Sequence, residues 1–205
     1  MIRLAVTGNI ACGKSLVGDH LQSLGYPVID SDKSAHELLQ TQNTITEEIL
    51  KLCTPKDIRG DNSFIDRQKL GQIFFSDALL KSQIESIMHP AIAQNTEEFF
   101  VRQEAENHFA AANLIPLLFE NKAEHRHDYI VLVRCEAKTQ LKRLLKRNPH
   151  LSLEQAQIRI NSQIPQAQKE ELSDYIIDNS GTPEHTRLEV ERFSELLYYK
   201  FKIEI

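Results

Sequence analysis

Lys14 and Ser15 close the run Gly8-Asn9-Ile10-Ala11-Cys12-Gly13-Lys14-Ser15, which has the spacing G-x-x-x-x-G-K-S. Glycines at that separation let a loop turn several backbone N–H groups into one concavity, and such a concavity holds phosphate. A lysine after the second glycine reaches the terminal phosphates of a nucleoside triphosphate, and the next hydroxyl holds Mg²⁺. Chance alone gives the bare pattern in roughly one 200-residue chain in a hundred, so the flanking elements matter. Arg3-Leu4-Ala5-Val6-Thr7 reads as a buried strand. Leu16 to Leu21 continues as a helix, with Val17, Leu21 and Leu24 at helical spacing. A loop between a strand and a helix N-terminus adds the helix dipole to the phosphate site. The bland alternative is a glycine turn capped by an exposed lysine. The strand–loop–helix context favours nucleotide binding.

Two further constellations bear on what would be done with the nucleotide. Asp30 and Asp32 end the second apolar run, Tyr26-Pro27-Val28-Ile29. On extended backbone they point the same way. One is then expected to orient a substrate hydroxyl or take its proton, and the other to bind Mg²⁺ through water. Turns favour Asp for local reasons, and it is the phosphate loop that favours chemistry. Arg134, Lys138, Lys142, Arg143, Lys146 and Arg147 place six cations within 14 residues. Arg143 and Arg147 share a helical face. They read either as a solvated basic face or as a lid that brings arginines over transferring phosphates. Asp57-Ile58-Arg59-Gly60 and Asn121-Lys122-Ala123-Glu124 imitate GTPase motifs. The first follows poor strand sequence, and the second has Glu124 where a guanine-reading Asp belongs.

The elements that must position these groups alternate. Strands are expected at residues 3–7, 26–29, 109–115, 129–133 and 175–177, with mostly helical sequence over 33–106. Helices are expected over about 137–147, over Leu153 to Ile164 behind a Ser152 cap, and over about 183–200. Alternating strands and helices give a parallel α/β sheet, with ligands outside its C-terminal strand ends. The chain has 205 residues, a 41% apolar fraction and a net charge of −5. That fits one ordinary domain with inserted lobes and argues against a dedicated nucleic-acid binder. No run approaches about 18 apolar residues, so no membrane span is expected. The first strand starts at once, which leaves no room for a signal peptide. Cys12, Cys53 and Cys135 show neither metal-ligand spacing nor an even count for disulfides. A reducing cytoplasm fits. Cys12 lies ahead of a helix N-terminus and near Lys14, both of which lower a thiol pKa. It is expected either to be the most reactive cysteine or to be a small, inert buried residue.

At this point the chain resembles the dephospho-CoA kinase family over nearly its whole length. The resemblance rests on Thr7 to Ser15, Val28-Ile29-Asp30-Ser31-Asp32-Lys33, Ile65 to Leu70 with Ile73-Phe74, and Ile87-Met88-His89-Pro90. It continues in Ile115-Pro116-Leu117-Leu118-Phe119-Glu120, Gln140 to Arg143 with Arg147, Arg159 to Gln163, and Ser173 to Asn179. The resemblance implies an α/β phosphate-loop kinase fold: a five-stranded parallel sheet with helices on both faces, an inserted helical substrate lobe and a helical lid. It implies a single domain, 1–205, with a nucleotide-binding core over 1–33, 106–140 and 169–205, the lobe over 34–105 and the lid over 141–168. The implied reaction is ATP-dependent phosphorylation of the 3′-hydroxyl of the ribose of dephospho-CoA, with Mg²⁺.

The resemblance also implies roles. Gly8, Asn9, Ile10, Ala11, Cys12, Gly13, Lys14, Ser15 and Leu16 would cradle the ATP phosphates. Asp32 would be the base, with Lys14 and Arg143 as its catalytic companions. Arg143 and Arg147 would bridge phosphates from the lid, and Asn179 would lie near adenine. Asp32, His89, Leu117, Phe119 and Glu120 would line the acceptor pocket. Ser15 would hold Mg²⁺, with Asp30 through water. The implied partner is dephospho-CoA alone, without nucleic acid, membrane or obligate protein partner. The family loop is usually richer in glycine; here Asn9, Ala11, Cys12 and Leu16 stand in its place. Asn9 suits positive φ, whereas Ala11 would be strained there. A different small-molecule kinase, or an ATP-binding switch without transfer chemistry, would share the same loop.

Overall fold

The computed structural model describes residues 1–53, 58–60 and 65–202. It divides into two compact units, Met1–Ile29 with Arg102–Ile205, and Asp30–Val101. The sequence boundaries of the inserted span were 34 and 105.

The first unit is built on a parallel sheet. Its strands are β1 (Ile2–Thr7), β2 (Val28–Asp30), β3 (Ala110–Leu114), β4 (Tyr129–Arg134) and β5 (Tyr175–Asp178), in the order β2-β3-β1-β4-β5. Register is set by pairs such as Leu4 with Ala112, Val6 with Val131 and Leu132 with Ile176. The strands are short, nearly unbroken apolar runs because both faces of the sheet are covered. On one face Leu4, Val6, Val131, Val133 and Ile177 meet Val17, Leu21, Val190, Phe193 and Leu197. On the other, Ala5 meets Leu118 and Phe119. Helix α1 (Lys14–Ser23) lies so close to β3 that a Cβ on Gly18 would sit 2.6 Å from a Leu114 methyl. Gly25, at φ 89°, ends α1 as its position suggests. The second strand starts at Val28 rather than Tyr26.

The second unit is helical: α2 (Ser31–Gln40), α3 (Thr44–Leu52), α4 (Arg67–Ser76) and most of α5 (Ala78–Ala105). Leu39, Ile49, Ile58, Ile65, Leu70, Ile73, Ile84 and Met88 form its core. Asn43 and Thr46 close a reciprocal capping box on α3. Asp57, the acid of the first GTPase-like motif, lies outside the described residues. Lys122 instead sits in a tight turn at φ 51°, just before a short 3₁₀ segment, Glu124–Arg126.

After β4 come α6 (Ala137–Arg147), α7 (Leu153–Asn161), α8 (Gln166–Glu171) and, beyond β5, α9 (Pro183–Lys202). Ser152 and Gln155 cap α7 reciprocally. The expected helix to Ile164 stops at Asn161, and α8 was not expected at all. Among the described residues no helix is long and apolar enough to cross a membrane.

Candidate active site

The loop from Gly8 to Ser15 leaves the central strand and enters α1 directly. Its shape needs residues without a side chain in two places. Gly8 has φ 151° and Gly13 φ 97°. A Cβ on Gly8 would run into the Val133 carbonyl, and one on Gly13 into the Asn179 side-chain amide. Ala11 has φ 62°, the left-handed region that costs a side chain free energy. The strained residue is therefore Ala11 and not Asn9, which was the residue suited to that conformation.

Other elements of the same unit hold the loop. Gln163 accepts from the Ile10 N–H at 2.7 Å, and Gln140 on α6 donates to the Ile10 carbonyl at 3.0 Å. The Asn9 side chain donates to the Ile164 carbonyl at 3.2 Å. Asn179, 2% exposed, donates to the Cys12 carbonyl at 2.7 Å and accepts from the Thr186 hydroxyl at 2.6 Å. Its own carbonyl accepts from Arg143 Nη1 at 2.8 Å. Asn179 thus spends its side chain on the loop and its carbonyl on the arginine.

Charge collects at this end. Lys14 Nζ donates to the Gly8 carbonyl at 2.7 Å, across the loop. The N-cap of α1 is Gly13, which has no side chain to cap it, and the first turn carries no acid. The positive end of the helix is thus not neutralised from within. Ser15 is exposed in that first turn, and Leu16 is half-buried. On α6, Arg143 is half-buried and Arg147, one turn on, is exposed. Arg134 takes no part in this group. It pairs with Glu170 at 3.2 Å and Asp178 at 3.0 Å. Burial works against the Asp178 charge, but bonds from Ser180 and the Arg134 guanidinium hold its carboxyl below the usual range.

The segment after β3 splits by exposure. Leu117 faces outward, while Leu118 and Phe119 are buried in the sheet core. Glu120 Oε1 accepts from the Ile164 N–H at 3.1 Å and pairs at 2.8 Å with Lys169, which is fully buried. Glu120 thereby fastens the segment between α7 and α8.

Asp30 and Asp32 are not a parallel pair on extended backbone. Asp30 is extended (φ −117°, ψ 111°) and is the N-cap of α2, its Oδ1 accepting from the Asp32 and Lys33 N–H groups at 2.9 and 3.2 Å. The cap forces the chain into a helix at Ser31, so Asp32 lies in the first helical turn, exposed. His89 is exposed in the middle of α5, directly before Pro90. Among the described residues no three His, Cys, Asp or Glu cluster as metal ligands would. Gln140, Gln163, Thr186 and Lys169 were not singled out as site residues from sequence. Gln140 and Gln163 lie 130 and 153 positions from Ile10, beyond the reach of any spacing argument.

A family model described as dephospho-CoA kinase matches residues 2–184 of the chain. A dephospho-CoA kinase of Shouchella clausii is 34% identical over 189 residues, covering 92% of this chain and 95% of the relative. The solved structure of a dephospho-CoA kinase from Campylobacter jejuni is 31% identical, with a TM-score of 0.74, and covers 95% of this chain and 96% of that one. A shikimate kinase from Bacteroides thetaiotaomicron, at 17% identity and a TM-score of 0.52, covers 96% of this chain and 98% of that one and shares the fold.

Proposed function

The chain belongs to the dephospho-CoA kinase family, and from that premise we propose that it transfers the γ-phosphoryl group of ATP to the 3′-hydroxyl of the ribose of dephospho-CoA, giving coenzyme A and ADP. The observation that carries the nucleotide half is the loop itself. Gly8, Ala11 and Gly13 all lie at positive φ, ahead of a helix whose N-cap is Gly13 itself. Backbone N–H groups turned inward in this way suit phosphate oxygens.

Phosphoryl transfer asks little covalent work of a protein; it needs positioning and neutralisation of charge. Lys14 would leave the Gly8 carbonyl for the terminal phosphates. Arg143, steadied by the Asn179 carbonyl, supplies a second cation to the same oxygens, and Arg147 a third as α6 and α7 close over them as a lid, about 141–168. The Ser15 hydroxyl fits Mg²⁺, which keeps several waters and takes phosphate oxygens rather than a cage of carboxylates. When bound, the ion would neutralise negative charge on the phosphates. Asp30 is the second proposed Mg²⁺ group, through water.

Asp32 is the proposed base. It orients the ribose hydroxyl and takes its proton as the oxygen meets phosphorus. His89, Leu117, Phe119 and Glu120 belong to the proposed acceptor side, with Leu117 presenting a side chain and Glu120 holding the segment in place. The helical unit from Asp30 to Val101 is the proposed dephospho-CoA lobe.

The test is ADP release from ATP and Mg²⁺ with dephospho-CoA, compared with nucleosides, nucleotides and shikimate as acceptors. Release with dephospho-CoA, and a ³¹P spectrum of the product matching authentic coenzyme A, supports the reading. A preference for another acceptor, or ATP binding without transfer, overturns it.

A further inference from the structure

Cys12 lies in the phosphate loop, and Cys135 follows β4 directly. Their sulfurs are 3.4 Å apart, 123 residues apart in sequence, and both residues are buried. The Cys135 thiol donates to the Cys12 sulfur. That bond lowers the Cys12 pKa against the pull of burial, with help from the Lys14 and Arg143 charges. The same bond, together with burial, pushes Cys135 up. The two sulfurs thus sit in unlike surroundings, Cys12 beside a thiol donor and two cations and Cys135 as the donor, an asymmetry that suits stepwise thiol oxidation. The Gln166 side-chain oxygen accepts from the Cys12 thiol at 4.0 Å and from the Cys135 N–H at 3.3 Å.

We propose that Cys12 and Cys135 form an oxidation site, at which a peroxide converts the two thiols to a disulfide that disables the phosphate loop and a dithiol restores it. In the first step the Cys12 thiolate attacks one peroxide oxygen. An S–O bond forms, the O–O bond breaks, and the departing hydroxide takes up the proton Cys12 gave away, leaving as water. In the second, the Cys135 sulfur attacks the sulfenic sulfur. The S–S bond forms, the S–O bond breaks, and the hydroxide leaves with the Cys135 proton as a second water. Two thiols lose two electrons and one peroxide gains them.

The loop has no slack to absorb the new bond. A disulfide brings the sulfurs to about 2 Å. Ala11 and Gly13, on either side of Cys12, are both held at positive φ, and the Cys12 carbonyl is held by Asn179. The approach must therefore displace the N–H groups of the loop or the start of α6. The effect on turnover rests on the proposed function; formation of the bond does not.

The experiment exposes the reduced full chain to hydrogen peroxide, stops the reaction with catalase, and maps the cysteines by mass after digestion without reductant. ADP release with dephospho-CoA and binding of a fluorescent ATP analogue are followed in the same samples. A peptide linking Cys12 to Cys135 should appear before any oxidation of Cys53, and ATP should slow it. Nucleotide binding and turnover should fall by about tenfold or more and return with dithiothreitol. Cys135→Ala, and Cys135→Ser if alanine destabilises the fold, should keep basal activity and oxidise at position 12 about tenfold more slowly, having lost the thiol donor. Absence of the linked peptide, earlier oxidation of Cys53, or full nucleotide binding by the linked protein would overturn the proposal. A linked peptide with lost nucleotide binding, in a chain that never used dephospho-CoA, supports the site and counts against the proposed function instead.

Discussion

The loop at 8–15 and the turn at 30–32 carry the two halves of the proposed chemistry, and they are held in opposite ways. The loop is gripped from outside: Gln140, Gln163, Ile164 and Asn179 reach it from elements far along the chain. The turn is shaped from within, by the bonds that Asp30 accepts from the next two N–H groups. A triphosphate presents several charges to many N–H groups at once, and a site built for it gains by fixing all of them beforehand. A single acid that takes one proton needs only a stable backbone beneath it and room around it. The contrast suggests that damage at the loop spreads into nucleotide binding, whereas damage at the turn stays with the acceptor step.

Substitutions break the contrast at different depths. Lys14→Ala should raise the barrier to transfer by roughly 3–4 kcal/mol, a hundredfold or more in turnover, while thermal unfolding changes little. Near-normal turnover would show that the loop does not hold the transferring phosphate. Asp32→Asn keeps the shape and removes the proton acceptor, so turnover should drop about a hundredfold with the KM for ATP unchanged. A loss confined to ATP affinity would move Asp32 to the nucleotide side. Asn179→Ala strips the Cys12 carbonyl and the Thr186 hydroxyl of a buried partner and should cost about 2 kcal/mol in a urea melt, with a raised KM for ATP. An unaltered melt would mean the clamp carries no load. The smallest effect belongs to Asp30→Ala, a lost N-cap worth about 1 kcal/mol. Its signature is a modest fall in Tm, with ATP binding weakened far less than in Lys14→Ala.

Much of this was legible in the chain, for local reasons. The loop could be read because its pattern is contiguous and the strand and helix around it are strongly patterned. Helix α6 and the Ser152 cap could be read for the same reason. Helix α7 ended early because Gln163 and Ile164 are drawn off to Ile10, Asn9 and Glu120, a tertiary pull that periodicity does not register. Helix α8 is six residues of mostly polar sequence whose buried member is a lysine, Lys169, so it offers no apolar stripe to find. The aspartate pair departs from the extended reading although the signal is local: an Asp ahead of a helical run is a cap, and capping turns Asp32 off the extended backbone. Asn179 and the Cys12–Cys135 contact join positions more than a hundred residues apart, and no spacing rule reaches that far.

The division of labour between the two regions is tested most directly by titrating ATP with Mg²⁺ into Lys14→Ala and Asp32→Asn, side by side with the unaltered chain, in a calorimeter. The account predicts that Asp32→Asn binds as the unaltered chain does and that Lys14→Ala binds about tenfold or more weakly, as the loss of one charge-assisted contact requires. Equal weakening in both variants, or weakening in Asp32→Asn alone, would contradict it.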